Sequence, residues 1–223
     1  MIQTKKGSAT SPRPQKGQGV IICHCCNSKG GWGKGFVLAV DGVSAAPRAA
    51  YQGLAKDHGK TKDSSADIPL GTVQFVEPQT GLFVSNMIAQ DGYGSDHADG
   101  CAVNYKALRR CLLVTFHRAI RLGYGVHIPE GIGSGLAGGN KDTIIKLISE
   151  CVAEVETTQW AVHNQAHLHV TLWQFQDTSA VSYVPPADPA PAPAPTADTA
   201  DPAAQTTEDG TFTPDPDDDI ANW

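Results

Sequence analysis

Two stretches of the chain place an apolar, strand-forming run directly before a cluster of glycines and a helix. In one, VIICHC at Val20–Cys25 runs on to NSKGGWGKG, ending at Gly35. In the other, YGVHIP at Tyr124–Pro129 is followed by EGIGSGLAGG, ending at Gly139. Where a strand gives way to a helix through glycines, backbone N–H groups are left pointing outward with no side-chain bulk over them, which suits phosphate oxygens. Two such loops at the ends of two strands could grip both phosphates of a diphosphate. The bland alternative is that the glycines only make tight turns. Five of the nine residues from Gly131 to Gly139 are glycine, which is more than a turn requires.

Other phosphate motifs fit less well. GGWGKG is not a P-loop, because Ser28 stands five residues before Gly33 and Lys34 is followed by Gly35. Gly133, Gly135 and Gly138 do match G-x-G-x-x-G after a strand and before a helix. A dinucleotide fold places that motif in its first βα unit, with an acidic residue at a strand end about 20 residues on. Here the motif comes late, and Glu154 and Glu156 fall within the following helix. Cysteines and histidines are dense around Cys23–Cys26, but strand alternation sends neighbouring side chains to opposite faces, so they do not converge on one tetrahedral metal. His167 and His169 share a strand face and lack a fourth ligand even with His163. No metal is expected.

The elements that must carry these loops alternate along the chain. Strand character marks Val20–Cys25, Thr72–Glu77, Leu82–Ala89, Tyr124–Pro129 and Leu168–Phe175, with a hairpin turn at Pro78–Gly81. Helical character marks a segment from about Gly35, then Ala45–Lys56, Val103–Leu122 and Asp142–Glu156, the last with Asn140 as N-cap. Such alternation predicts a parallel or mixed sheet sandwiched by helices.

Composition divides the chain in two. The 223 residues carry 17 Lys and Arg against 23 Asp and Glu. Nine of those acids, and no basic residue, lie in Thr178–Trp223, so residues 1–177 hold 17 basic against 14 acidic residues. The folded part is therefore mildly basic, which suits a phosphate-bearing ligand and is too weak a bias for nucleic acid. The Pro- and Ala-rich, acidic segment 178–223 reads as a disordered tail. Its last residues, Asp217–Trp223, are either a solubilising extension or a peptide docked by a protein partner. No apolar run spans a membrane, no signal peptide is evident, and the six cysteines read as reduced thiols, so a cytoplasmic location is expected.

Six blocks in order resemble the macro-domain family, in particular a bacterial and phage branch near the ADP-ribose-1-phosphate phosphatases. They are GSAT at Gly7–Thr10, HCCN at His24–Asn27, GGWGKGF at Gly30–Phe36, NMIAQDG at Asn86–Gly92, VNYKALR at Val103–Arg109 and HIPEGIGSGLAGG at His127–Gly139. The resemblance covers nearly all of residues 1–176, with an apparent insertion around Thr157–Ala166. It implies a three-layer α/β/α sandwich with a central mixed sheet, and ADP-ribose or a related nucleotide as ligand. By motif position, Gly33, Lys34, Gly35 and Phe36 would line one side of the diphosphate and distal ribose. Ile132, Gly133, Ser134, Gly135 and Leu136 would line the other, and Asn27 would sit by the distal ribose. Ser8 and Ala9 would lie at the adenine, and Trp32 would either stack on the ligand or pack its helix.

Departures from the family pattern bear on activity. Ser8 replaces an aspartate that accepts from the adenine amino group. Glu130 replaces an arginine, while Asn140 and Lys141 replace Asp and Trp. Gln90 and Ala137 stand where one branch has the lysine and aspartate that release ADP-ribose from glutamate, so that covalent mechanism is not expected. Hydrolysis needs a positioned water and a proton acceptor. The candidates are His24, in the H-x-x-N setting of similar phosphatases, then Asp91, with Asn27 to orient water. The readings are a hydrolase acting on ADP-ribose-1-phosphate or an ADP-ribosyl bond, a non-catalytic ADP-ribose-binding module, and, less favoured, an NAD-dependent oxidoreductase. For the first two no cofactor is expected.

Overall fold

The computed structural model describes residues 1–59 and 67–175. The acidic segment 178–223, expected to be a disordered tail, lies outside the described residues.

Six strands form one mixed sheet: β1 (Ile2–Lys6), β2 (Val20–Asn27), β3 (Val73–Gln79), β4 (Leu82–Gln90), β5 (Gly125–Pro129) and β6 (Val170–Gln174). Their order across the sheet is β1-β6-β5-β2-β4-β3. Every neighbouring pair is parallel except the hairpin β3–β4. β2 and β4 are buried along almost their whole length, so they read as apolar runs rather than alternating ones.

Helices cover both faces. On one side α3 (Tyr105–Leu122) and α4 (Lys141–Glu156) pack Leu108, Leu112, Phe116, Ile144, Ile148 and Val152 against Ile21, Cys23, Val126 and Ile128. Fully burying side chains of this size contributes roughly 1.5–3 kcal/mol each. The other side carries α1 (Val37–Asp41) and α2 (Ala46–His58), which close over Val20, Ile22, Cys26, Val84 and Ile88. Asn104 caps α3 by accepting from the Ala107 amide at 3.0 Å, and Gly123 ends it in the left-handed conformation at φ 67°. Asn140 caps α4 as the sequence predicts, accepting from the Thr143 amide at 2.9 Å.

Two elements carry no signal strong enough to read. β1 (IQTKK) is an edge strand with four exposed residues in five, so it shows no apolar alternation. Its backbone pairing with β6, Ile2 against Val170, is what makes it a strand. The stretch expected as an insertion contains a short helix, α5 (Gln159–His163), capped by Thr158 and anchored by buried Ala161. The helical segment from Gly35 is also shorter than its run-on into α2 implied, since Gly42–Ala45 separates the two.

Candidate functional site

The carboxyl ends of β2, β5 and β6 and the end of β1 open onto one cleft of about 720 Å³. The first glycine loop leaves β2 at Asn27, whose side chain organises it. Asn27 Oδ1 accepts from the amides of Lys29 and Gly31, both at 3.0 Å, and Nδ2 donates to the Gly31 carbonyl at 2.8 Å. The second loop leaves β5 and folds back through Ser134 N to Gly131 O at 3.0 Å and Gly139 N to Gly133 O at 2.9 Å. At Gly138 (φ 71°) a Cβ would sit 2.1 Å from the Gly100 carbonyl oxygen, so only glycine lets this loop lie against that backbone.

What the loops present to the cleft is main chain. Among the described residues, the amides of Lys34, Gly35 and Phe36 and of Gly133, Gly135 and Leu136 have no protein acceptor. All six residues line the cleft, and the Leu136 side chain, 67% exposed, reaches across the gap toward Gly35. Two sets of unpaired N–H donors on residues lining one cleft are the chemistry suited to an anion with several oxygens. Cationic charge comes from Lys34 and Lys141. Lys141 is partly neutralised, because its Nζ lies 2.8 Å from Glu130 Oε2. Glu130 also accepts from Gln174 Nε2 at 3.1 Å, and the bonds from Lys141 and Gln174 hold its carboxyl below the usual range.

Of the residues singled out from sequence, Ser8, Ala9, His24, Lys34, Gly35, Phe36, Ile132, Gly133, Gly135 and Leu136 line the cleft. Asn27, Trp32, Gly33, Ser134 and Asp91 are not on its wall. Asn27 is committed to its loop. Trp32 lies beneath that loop, edge-on to His24 with ring centroids 5.2 Å apart, and donates from Nε1 to Asp41 Oδ2 at 3.1 Å. Ser134 bonds back to Gly131 O at 3.1 Å. Asp91 follows β4, where its amide donates to Ala102 O at 2.8 Å and its carbonyl meets His97 Nε2 at 2.6 Å.

His24 sits at the cleft floor, 1% exposed. Asn86 spends both amide protons on Pro47 O and Gln74 Oε1, each at 3.0 Å, so its Oδ1 must accept. His24 Nε2 therefore carries the proton and donates to Asn86 Oδ1 at 2.5 Å. Nδ1 holds the lone pair, with Cys26 Sγ at 3.6 Å. Burial pushes the imidazole pKa down to about 4, against the opposing effect of the Asn86 bond. His24 is thus a neutral histidine whose Nε2 proton goes to Asn86, with Cys26 Sγ 3.5 Å from Nε2 and 3.6 Å from Nδ1.

Several wall residues were not anticipated: Gly7, Cys25, Val37–Ala39, Pro129 and Gly131, and above all Trp173 and Phe175 beyond the second loop. Trp173 lies in β6 and Phe175, 80% exposed, just past it. The signal that could have found them is topological, because parallel strands bring their carboxyl ends to the same edge. Among the described residues no three His, Cys, Asp or Glu side chains converge as metal ligands, all six cysteines are free thiols, and no helix is long and apolar enough to cross a membrane.

A mixed sheet between two helical layers, with two glycine loops lining a cleft at one edge, defines an α/β/α protein with a glycine-lined cleft. Neither a protein-family model nor a curated protein matches the sequence. Solved structures do. A macrodomain protein from Streptomyces coelicolor is 34% identical, the alignment covering 78% of this chain and 98% of that one, with a TM-score of 0.59. A protein of unknown function from Bacteroides thetaiotaomicron is also 34% identical over 78% and 98% of the two chains, with a TM-score of 0.63. The macrodomain of Trypanosoma brucei in complex with ADP-ribose shares the fold at 13% identity and a TM-score of 0.51, over 78% and 63% of the chains. The chain belongs to the macrodomain family.

Proposed function

We propose that the cleft binds ADP-ribose or a close derivative of it. The observation that carries this reading is the pair of glycine loops presenting unpaired amides across one cleft, with Lys34 and Lys141 beside them. A diphosphate would lie between the loops. The aromatic end, with Gly7, Trp173 and Phe175, would take the base. The solved macrodomain of Trypanosoma brucei with ADP-ribose is consistent with this chemistry.

Binding is favoured over turnover by the state of the acid–base candidates. Burial holds His24 near pKa 4, which makes it a weak base, and Asp91 is not on the wall. Hydrolysis is the second reading, as phosphate removal from ADP-ribose-1-phosphate or release of ADP-ribose from a modified group. It is favoured by the place of His24 at the cleft floor.

The test is a calorimetric titration of the full chain with ADP-ribose, with NAD and AMP alongside. Micromolar binding of ADP-ribose and much weaker AMP binding supports the proposal, and the absence of any heat sinks it. Incubation of ADP-ribose-1-phosphate with the wild type and His24→Ala decides turnover, since phosphate release by the wild type alone favours the second reading.

A further inference from the structure

Trp173 is held at both ends. Its indole Nε1 donates to Nδ1 of His127 on β5 at 2.9 Å, the ring centroids being 5.8 Å apart. At the other end of the indole the six-membered ring packs on Gly7, where an added Cβ would come within 3.1 Å of Cζ3 and 3.3 Å of Cε3. His127 is not on the cleft wall, whereas Trp173 and Gly7 both are. The Gly7 amide donates to Gln174 O at 2.9 Å and the Glu130 amide to Trp173 O at 2.9 Å, so the backbone around the indole is pinned on two sides. The bond to His127 is the hydrogen bond of the indole N–H, and together with the packing on Gly7 it sets the ring's orientation.

We propose that His127 is a positioning residue for the aromatic end of the cleft, fixing the Trp173 indole as the surface on which the ligand's base lies. The proposal rests on the ADP-ribose reading above. An indole is a donor only, so its partner must offer a lone pair. His127 Nδ1 does so only while the imidazole lacks a proton there. Burial first, and Lys5 second, push its pKa down to about 4, which keeps that lone pair available. Lys5 stands beside Trp173 in the β1–β6 register. A planar base gains from an aromatic surface held at a fixed angle, since no ring rotation has to be frozen on binding. His127 itself is off the cleft wall, and the glycines of the second loop begin four residues beyond it at Gly131.

The test uses full-length wild type, His127→Phe and His127→Gln. The Trp173 indole ¹H–¹⁵N resonance is assigned by its loss in Trp173→Phe. In the wild type this proton should exchange slowly. It should become solvent-exchangeable in His127→Phe and be protected again in His127→Gln, whose amide oxygen can accept. ADP-ribose affinity should fall about tenfold in His127→Phe, the scale of one lost base stack, and return in His127→Gln. Ribose 5-phosphate, which has no base, should bind all three alike when followed by the glycine-loop amide resonances. Equal weakening of both ligands in His127→Phe would reduce His127 to a general structural role. Unchanged ADP-ribose affinity with the indole bond lost would overturn the proposal. A wild type that binds no ADP-ribose would instead overturn the reading of the cleft, and this proposal with it.

Discussion

His24 and Asn86 are register partners on β2 and β4, and their side chains are bonded as well, Nε2 to Oδ1 at 2.5 Å. Histidine is usually the residue that responds to pH near neutrality, and here burial removes that response. The consequence is for stability. The unfolded chain takes up a proton on His24 near pH 6.5, whereas the folded chain resists until about pH 4. Above pH 6.5 neither state is protonated and the group adds no pH dependence. As pH falls from about 6.5 to 4 the unfolded state is favoured, by about 3 kcal/mol at the bottom of the window. Denaturant midpoints should decline over that window. His24→Gln should shallow the decline, and an unaltered slope in that variant would remove His24 as its source.

Asn27 contributes three hydrogen bonds to the first glycine loop and is off the cleft wall. Replacing it with alanine should cost about 1–3 kcal/mol, the scale for leaving buried partners unsatisfied. Asn27→Asp keeps the acceptor for Lys29 and Gly31 but loses the donor to Gly31 O. It should therefore retain more ADP-ribose affinity than Asn27→Ala, in calorimetry at pH 7. Equal affinity in both variants would show that the loop holds without its Asx turn.

The glycines of the two loops should differ sharply under substitution. Gly138→Ala places a Cβ on the Gly100 carbonyl at a positive φ, and should lower stability by about 2–4 kcal/mol. Gly33 has no heavy atom within 4 Å of a Cβ, so Gly33→Ala should stay within about 0.5 kcal/mol of wild type. Thermal melts of the two variants decide this. Similar melting temperatures would mean that the second loop yields more easily than its packing implies.

Glu130 sits on the cleft wall and holds Lys141 by an ion pair. Glu130→Gln should free the lysine for phosphate and remove a nearby negative charge, tightening ADP-ribose binding about two- to fivefold at low salt. Lys141→Ala should weaken it by a similar factor. Titrations at two ionic strengths test both, and an affinity indifferent to salt would exclude a role for this pair in phosphate binding.

The two glycine loops are legible because glycine clusters after apolar runs report backbone geometry directly. The side chains of the loops are not. Asn27 is expected by the distal ribose and Trp32 either on the ligand or against its helix; in the fold Asn27 bonds the Gly31 backbone and Trp32 lies edge-on to His24. Residue type alone does not say on which side of its own main chain a loop side chain lies. Helices α3 and α4 were readable from their apolar stripes and Asn caps. By contrast β1 was not, since an exposed edge strand is specified by the partner it pairs with, 168 residues away at Val170 for Ile2. Trp173 and Phe175 are placed by the same kind of distant pairing. Their place in the cleft depends on which strands are neighbours, and no local pattern encodes that.

The pairing of β1 with β6 also sets a timetable for the chain. Gly7, Ser8 and Ala9 follow the first strand, while Trp173 and Phe175 belong to the last, and β6 separates β1 from the rest of the sheet. During synthesis β1 has no strand to join until residue 170 and beyond have emerged, although β2, β3, β4 and β5 can already assemble with α3. The aromatic end of the cleft is thus the last part to come into being, and closing so long a loop is slow. In pulsed hydrogen exchange during refolding, the amides of β1 and β6 should gain protection together and after those of β2 and β4.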